Sequence, residues 1–276
     1  MSVQSNISSD IPYVARILEN IRKVIEEDRA QKQPLILKIS EAFLFNIARK
    51  AILEKNSTFL VSIAGESASG KTTLVNNTAK ACVRSNANIY TVISCDDYYK
   101  DASKELRDAG SYEELFKTGF SFDTPDAIDL KTMKEHLIAL KNGFEIHSPA
   151  YDFVTCASSP MGELKKPAKL ILNEGLYVLD ESLREIIDVK VYVYTPFEII
   201  KDRWYKRAIV RGKTGAAADM QFNDVNQTAF RYIRPTMQLA DIVINGLTTQ
   251  EYIEEVAQKF IKAITDVTKE FASAKN

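Results

Sequence analysis

From Ile11 to Glu27 apolar side chains return at helical spacing (Val14, Ile17, Leu18, Ile21, Val24 and Ile25), which predicts an amphipathic helix. Residues 1–9 before it are polar and are expected to fray. Pro34 interrupts the pattern, and a second helix is expected to use Leu37, Phe43, Leu44, Ile47, Ala48 and Ile52. These helices carry no chemical motif. They read as an N-terminal helical extension over residues 1–56, serving as scaffold or as the surface of a homo-oligomer.

The pattern then changes. Phe59 to Ala64 is a short apolar run ending at a glycine, as a buried parallel strand should be, and a helix is expected from near Gly70 to about Arg84. Further strands are expected at Ile89–Ile93, Leu170–Leu172, Val189–Tyr194 and Asp241–Ile244. Thr124 and Pro125 read as the start of a helix with Leu130, Met133, Leu137 and Leu140 on its apolar stripe. Thr195 with Glu198, and Thr248 with Glu251, read as capping boxes; the second opens a helix carrying Ile253, Val256, Phe260, Ile261 and Ile264. Strands alternating with helices imply an α/β fold, a doubly wound and mainly parallel sheet covered on both faces, over residues 57–276.

Composition narrows the class. The chain has 276 residues, 45% of them hydrophobic, enough for a large buried core. Its formal charge of −1 gives no reason to expect nucleic acid as a partner. Three cysteines, Cys82, Cys95 and Cys156, without metal-like spacing argue against a disulfide framework and against zinc. No apolar run approaches the ~18 residues that span a bilayer, and the N-terminus has no apolar signal core. A cytoplasmic protein without membrane contact is expected.

Gly65-Glu66-Ser67-Ala68-Ser69-Gly70-Lys71-Thr72 fits G-x-x-x-x-G-K-[ST] at every fixed position. Such a loop turns its backbone N–H groups inward around a phosphate, glycine permitting the positive φ angles and the close approach. The following helix directs its N-terminal dipole at the same anion. Lys71 can reach the β- and γ-phosphates of ATP and Thr72 can ligate Mg²⁺. The expected nucleotide contacts are Gly65, Ser67, Ala68, Ser69, Gly70, Lys71, Thr72 and Thr73. Glu66 would be repelled by phosphate if it turned inward, so it is expected to face solvent. Asp96-Asp97-Tyr98-Tyr99 and Asn173-Glu174-Gly175 come directly after expected strands. An acid at either place could hold Mg²⁺, directly or through water, or accept the proton of an attacking hydroxyl.

In this order the motifs resemble those of the uridine kinase and phosphoribulokinase superfamily of P-loop kinases, uridine–cytidine kinases most closely, from about Phe59 to Gly246. The resemblance implies that Asp96 is the base and a metal contact, with Tyr99 beside the acceptor. It implies that Asp123 of Phe122-Asp123-Thr124-Pro125-Asp126-Ala127 holds ribose hydroxyls of the acceptor. Tyr151 and Phe153 of Pro149-Ala150-Tyr151-Asp152-Phe153 would flank a pyrimidine, and Glu174 would be the second acid beside the metal. Arg203, Arg207 and Arg211, which recur every four residues and so share a helix face, would belong to a lid around residues 200–215. Arg207 and Arg211 would stabilise transferring charge and Arg203 would contact substrate; Arg234 resembles another basic position.

Three features depart from the pattern. Cys156 stands where those kinases carry a base-reading histidine, and a thiol is a poor donor. The segment from Pro235 to Ala240 is shorter, and the N-terminal helices are extra. His136 is expected at the surface and His147 is assigned no role. The activity implied is transfer of the γ-phosphate of ATP to a hydroxyl of a small molecule, with the 5′-hydroxyl of uridine or cytidine as the leading acceptor. A sugar phosphate or vitamin alcohol as acceptor, and a nucleotide-binding regulatory module without turnover, remain open.

Overall fold

A computed structural model describes residues 4–54, 58–85 and 90–274, with side chains from Asp10 onward. The first apolar stripe winds into α1 (Gln4–Arg29), whose Val14, Ile17, Ile21, Val24 and Ile25 are buried. The segment after Pro34 is not wholly helical. Ile36–Ile39 forms strand β1, and only then does Ser40 cap α2 (Glu41–Leu53), its hydroxyl accepting the Phe43 N–H. Leu37, expected on the helix, therefore lies in a strand and is exposed. Four residues are too few for periodicity to separate strand from helix; pairing with a distant strand decides it.

β2 (Phe59–Ala64) leads into α3 (Lys71–Arg84), and β3 (Tyr90–Ser94) follows. Ile89, expected to open that strand, lies outside the described residues, as do residues 56 and 57, where the extension was expected to end. A 3-10 turn, Cys95–Tyr98, ends β3, and the short helices α4 (Ser103–Ala109) and α5 (Tyr112–Lys117) come next. Thr124 does not cap the following long helix. Pro125–Ala127 makes a separate 3-10 turn, and Asp129 caps α6 (Leu130–Lys141) by accepting the Thr132 N–H. Aspartate is a strong N-cap, and the first turn that suits proline is supplied by the 3-10 segment.

The strands β4 (Ile146–His147), β5 (Ala150–Asp152), β6 (Ala157–Ser159) and β7 (Leu164–Lys165) make two small ribbons, β4 with β7 and β5 with β6. The chain returns to the main sheet with β8 (Leu170–Gly175) and β9 (Val189–Tyr194), passes through α7 (Phe197–Val210) and α8 (Gly215–Thr228), and closes with β10 (Ile242–Asn245) and α9 (Gln250–Ala274). Neither expected capping box forms. The Thr195 hydroxyl donates to the Ser69 carbonyl at 2.8 Å, and α7 begins after Pro196 without a side-chain cap. At α9 it is Thr249, not Thr248, that accepts the Tyr252 N–H.

The main sheet runs β1-β10-β9-β2-β8-β3, with β1 antiparallel and the other strands parallel. Successive strand residues face opposite sides. Leu60, Ala64 and Ile171 pack toward α6, while Ile63 and Leu172 pack toward α1, α2, α3 and α9. The N-terminal segment thus shares a core with the sheet. Asp28 ties it down, accepting the Leu35 and Ile36 N–H groups at 2.8 Å each and the Tyr252 hydroxyl at 2.9 Å.

A second tie joins α2 and α6 just before β9, an interior strand. Asp188 accepts the Leu60 N–H at 2.8 Å, Lys50 Nζ at 2.5 Å and Lys141 Nζ at 3.0 Å. Burial alone would push its carboxyl up, but the Leu60 N–H and the two ammonium groups prevail and hold it below the usual value. A depressed carboxylate pKa contributes stability that is complete above the unfolded value of ~4 and is lost as pH falls through the folded one. Asp188→Asn should therefore destabilise the protein by about 3 kcal/mol at neutral pH. In urea titrations the gap from the parent should narrow below about pH 4.

Candidate active site

The loop between β2 and α3 is shaped by contacts that exclude side chains. A Cβ on Gly65 would stand 2.7 Å from both Ser69 Oγ and the Val193 carbonyl. Gly70 has φ 105° at the N-cap of α3, in the left-handed region. The loop closes with the Ser69 N–H on the Glu66 carbonyl at 3.1 Å, and Lys71 Nζ donates to the same carbonyl at 2.9 Å. Ser69 Oγ is buried with no hydrogen-bond partner among the described residues. Orphaned N–H groups at a helix start, an unpartnered hydroxyl and an ammonium group make a cradle rich in donors. Those residues fit a phosphate tail.

Register brings the acids to the cradle. Glu174 lies opposite Ile63 of β2 and Ser94 of β3, so it sits between the start of the loop and the turn that carries Asp96. It belongs to the end of β8 rather than to a loop after it. Thr72 Oγ1 donates to Glu174 Oε1 at 3.0 Å. Burial pushes the Glu174 carboxyl up, with Lys71 opposing. Burial pushes the Lys71 ammonium down, with Glu174 and Asp96 opposing. Among the described residues no group of three or more His, Cys, Asp and Glu side chains is gathered to hold a metal. Thr72, Glu174 and Asp96 are the oxygen donors at hand, and Mg²⁺ characteristically takes few protein ligands and completes its shell with water and phosphate.

One cleft is lined by Lys71, Thr72, Asp96 and Glu174 together with Asp123 and the group Tyr99, Tyr151, Phe153 and Cys156. Tyr151 stands 5.1 Å from Tyr99 and 5.1 Å from Phe153, ring to ring. Asp123 is buried, and Tyr177 donates its hydroxyl to the Asp123 carbonyl oxygen. Burial and then the nearby Asp224 carboxylate push the Asp123 carboxyl up to about 7, against the pull of Lys213 and Arg207.

The helix pair α7–α8 closes one side. Arg207 donates to Ser67 Oγ in the cradle, and the Arg211 guanidinium lies 4.2 Å from the Phe153 ring centre. Both line the cleft. Arg203 does not join the acceptor-side residues. Its Nη1 donates to the Gly246 carbonyl at 3.1 Å, in a neighbouring hollow with Gly70, Thr73 and Gln250. Arg207, four residues and about 6 Å further along α7, borders both this hollow and the cleft, whereas Arg203 borders the hollow without lining the cleft.

Glu66 does not face solvent. Its side chain is 14% exposed and pairs with Arg234 at 2.9 Å, while Arg234 also donates to Asn226 Oδ1 at 2.7 Å. The ion pair turns the carboxylate away from the cradle, which is how an acid is tolerated in the loop. His136 is half-buried, not surface, and shares a 3.0 Å hydrogen bond with the Tyr98 hydroxyl. His147 is exposed, and the three cysteines are free. Cys156 is buried, 3.3 Å from the Tyr112 hydroxyl.

Sequence reasoning missed Lys213, Gln221 and Asp224. Lys213 and Gln221 line the cleft, and Lys213 stands 4.2 Å over the Tyr112 ring, with its ammonium pushed down to about 8 by burial. Only Lys213 left a trace in the chain, as the basic residue after Arg211-Gly212.

Comparison with known proteins agrees with this architecture. The family described as phosphoribulokinase / uridine kinase matches residues 60–252. A uridine kinase of Borreliella burgdorferi (strain ZS7) is 32% identical over 209 residues, 75% of this chain and 95% of that one. A uridine kinase of Pasteurella multocida is 33% identical over 192 residues, 68% of this chain and 86% of that one. The crystal structure of a protein provisionally designated a fructose transport system kinase, from Silicibacter sp. TM1040, superimposes with a TM-score of 0.53 at 20% identity, covering 72% of this chain and 97% of that one, and shares the fold. Among the described residues no helix is long and apolar enough to cross a membrane.

Lys71→Ala should weaken ATP binding at least ~10-fold, the scale of one charge-assisted contact, without changing the far-ultraviolet circular dichroism. Unchanged affinity in a calorimetric titration would refute the cradle's charge logic.

Proposed function

The chain belongs to the phosphoribulokinase and uridine kinase family, and on that premise we propose that it transfers the γ-phosphate of ATP to the 5′-hydroxyl of a nucleoside such as uridine or cytidine. The observation that carries this reading is that Lys71 and Thr72 of the phosphate cradle, Asp96, Asp123 and the Tyr99–Tyr151–Phe153 wall line one cleft.

The residues have separable tasks. The α3 N-terminus and Lys71 bind the phosphate tail and spread its charge. Asp123 accepts hydrogen bonds from the acceptor's vicinal hydroxyls, which its carboxylate form makes strong. Tyr151 and Phe153 give an apolar wall for a flat base. Asp96 takes the proton of the attacking hydroxyl as its oxygen bonds to the γ-phosphorus and the bond to the bridging β–γ oxygen breaks. Arg207 and Arg211 stabilise charge on the transferring group and exclude water when α7–α8 is seated. Mg²⁺, held by Thr72, Glu174 and Asp96 in part through water, would supply further neutralisation of phosphate charge.

Cys156 favours a second reading. The place where related kinases carry a base-reading histidine holds a buried thiol beside the Tyr112 hydroxyl, with Lys213 nearby. A cleft with a cation and no imidazole suits an acceptor other than a pyrimidine nucleoside, such as a sugar phosphate.

An acceptor screen with Mg·ATP separates the two. The nucleoside reading expects ADP release that depends on uridine or cytidine; stimulation by a different hydroxyl compound alone would favour the second, and binding without turnover would sink both. With the active acceptor, Asp96→Asn should reduce turnover ~10²-fold or more while ATP affinity stays within a few-fold. Near-normal turnover of that variant would remove Asp96 from the base role.

A further inference from the structure

Asp123 does not stand alone. Its N–H donates to Ser121 Oγ at 3.1 Å, and Ser121 Oγ in turn donates to Asp224 Oδ2 at 2.5 Å. Asp224 lies on α8, 103 residues beyond Ser121 in the chain. That helix is fused to α7 by a small apolar core of Trp204, Ala208, Ala218, Phe222 and Val225. Tyr205 also donates to Asp219 Oδ1 across the pair at 2.7 Å. The helices that carry Arg207, Arg211 and Asp224 therefore move as one body, since separating them would expose a buried Trp and Phe.

We propose that Asp224 is a positioning residue: through Ser121 it fastens the α7–α8 body to the turn that holds Asp123, so that seating of the arginines and readiness of the acceptor carboxylate are one event. The inference rests on reading Asp123 as the acceptor's grip. A hydroxyl that accepts from one backbone N–H and donates to one carboxylate has a defined orientation, and the Ser121 link fixes the turn before Asp123 from one side while Tyr177 fixes its carbonyl from the other.

The link is also electrostatic. Asp123 is faced by Asp224 from α8, Arg207 from α7, Lys213 from the loop between them, Asp96 from the turn after β3, and the hydroxyls of Tyr99 and Tyr177. Asp224 is the largest opposing charge on Asp123 after burial itself. Burial also pushes the Asp224 carboxyl up, with Ser121 opposing. Two carboxyls in one partly dry site do not both ionise freely. Asp123 grips hydroxyls best as an anion, so acceptor binding should strengthen as pH rises through about 7. Removing the Asp224 charge should move that rise to lower pH.

The test uses the full-length protein with ATP saturating and uridine as probe. Asp224→Asn keeps an oxygen for Ser121 but removes the charge; Ser121→Ala removes the link and keeps both charges. Asp224→Asn should shift the acid limb of kcat/KM for uridine to lower pH, giving roughly a threefold gain over the parent at pH 6. Ser121→Ala should raise KM for uridine about tenfold, leaving KM for ATP and the position of the limb unchanged. A carboxyl-carbon NMR titration of the unliganded protein, with the Asp123 signal assigned by its loss in Asp123→Asn, should show the same displacement in Asp224→Asn. A limb and titration identical to the parent in Asp224→Asn, or equal increases of both KM values in Ser121→Ala, would overturn the proposal. If Asp123→Asn leaves KM for uridine unchanged, the acceptor reading of Asp123 has failed, and the NMR titration by itself decides whether Asp224 governs it.

Discussion

Lys71 is an ammonium group held out of water at the end of a parallel sheet, and the arrangement around it follows from that cost. Charge buried in this way needs anions or oriented dipoles close by. The protein supplies the Glu66 carbonyl as a direct partner and the Glu174 and Asp96 carboxylates as neighbours. The register of β2, β8 and β3 brings these groups together, because adjacent parallel strands end level. A slip of one residue in β8 would turn Glu174 to the opposite face and leave Lys71 with one neighbouring carboxylate fewer. The sheet is thus both scaffold and charge-placing device.

The same economy governs the loop acid. Glu66 in the cradle would oppose phosphate, and the ion pair with Arg234 holds it aside. Arg234 lies beyond α8 and also reaches Asn226 on that helix. The cradle is therefore braced by the body that carries the arginines, and the Arg207 contact with Ser67 adds a second brace. The cradle and the turn that holds Asp123 are each tied to α7–α8, one through Glu66 and Ser67, the other through Ser121. Closure of such a body over substrate is the kind of motion that excludes water and completes a site.

The N-terminal segment contributes to this rigidity from behind. α1 and α2 share a core with α3 and α9, and β1 extends the sheet beyond β10. Asp28 and Asp188 replace what would be free backbone N–H groups at the joins with charged acceptors. α3, whose N-terminus forms the cradle, is held on that side by the packing of α9 and the sheet.

Much of this was legible in the chain because the interactions concerned are local. The G-x-x-x-x-G-K-[ST] loop needs its glycines within eight residues, and apolar runs of buried strands declare themselves without partners. That made legible the α/β class, the glycine-bounded loop from Gly65 to Thr72 and the acids near strand ends. What the sequence could not decide depends on groups far apart in it. β1 exists because β10 offers an edge, Thr195 turns from capping to the Ser69 carbonyl, and Glu66 is buried rather than solvated because Arg234, 168 residues away, meets it. Lys213 and Asp224 leave no local signature, because a lone charge reads as solvated surface until tertiary packing buries it. The sequence by itself determined the chemistry that recurs at fixed spacing; the tertiary structure alone decided which charges face one another, because that depends on distance in space, which spacing along a chain does not encode.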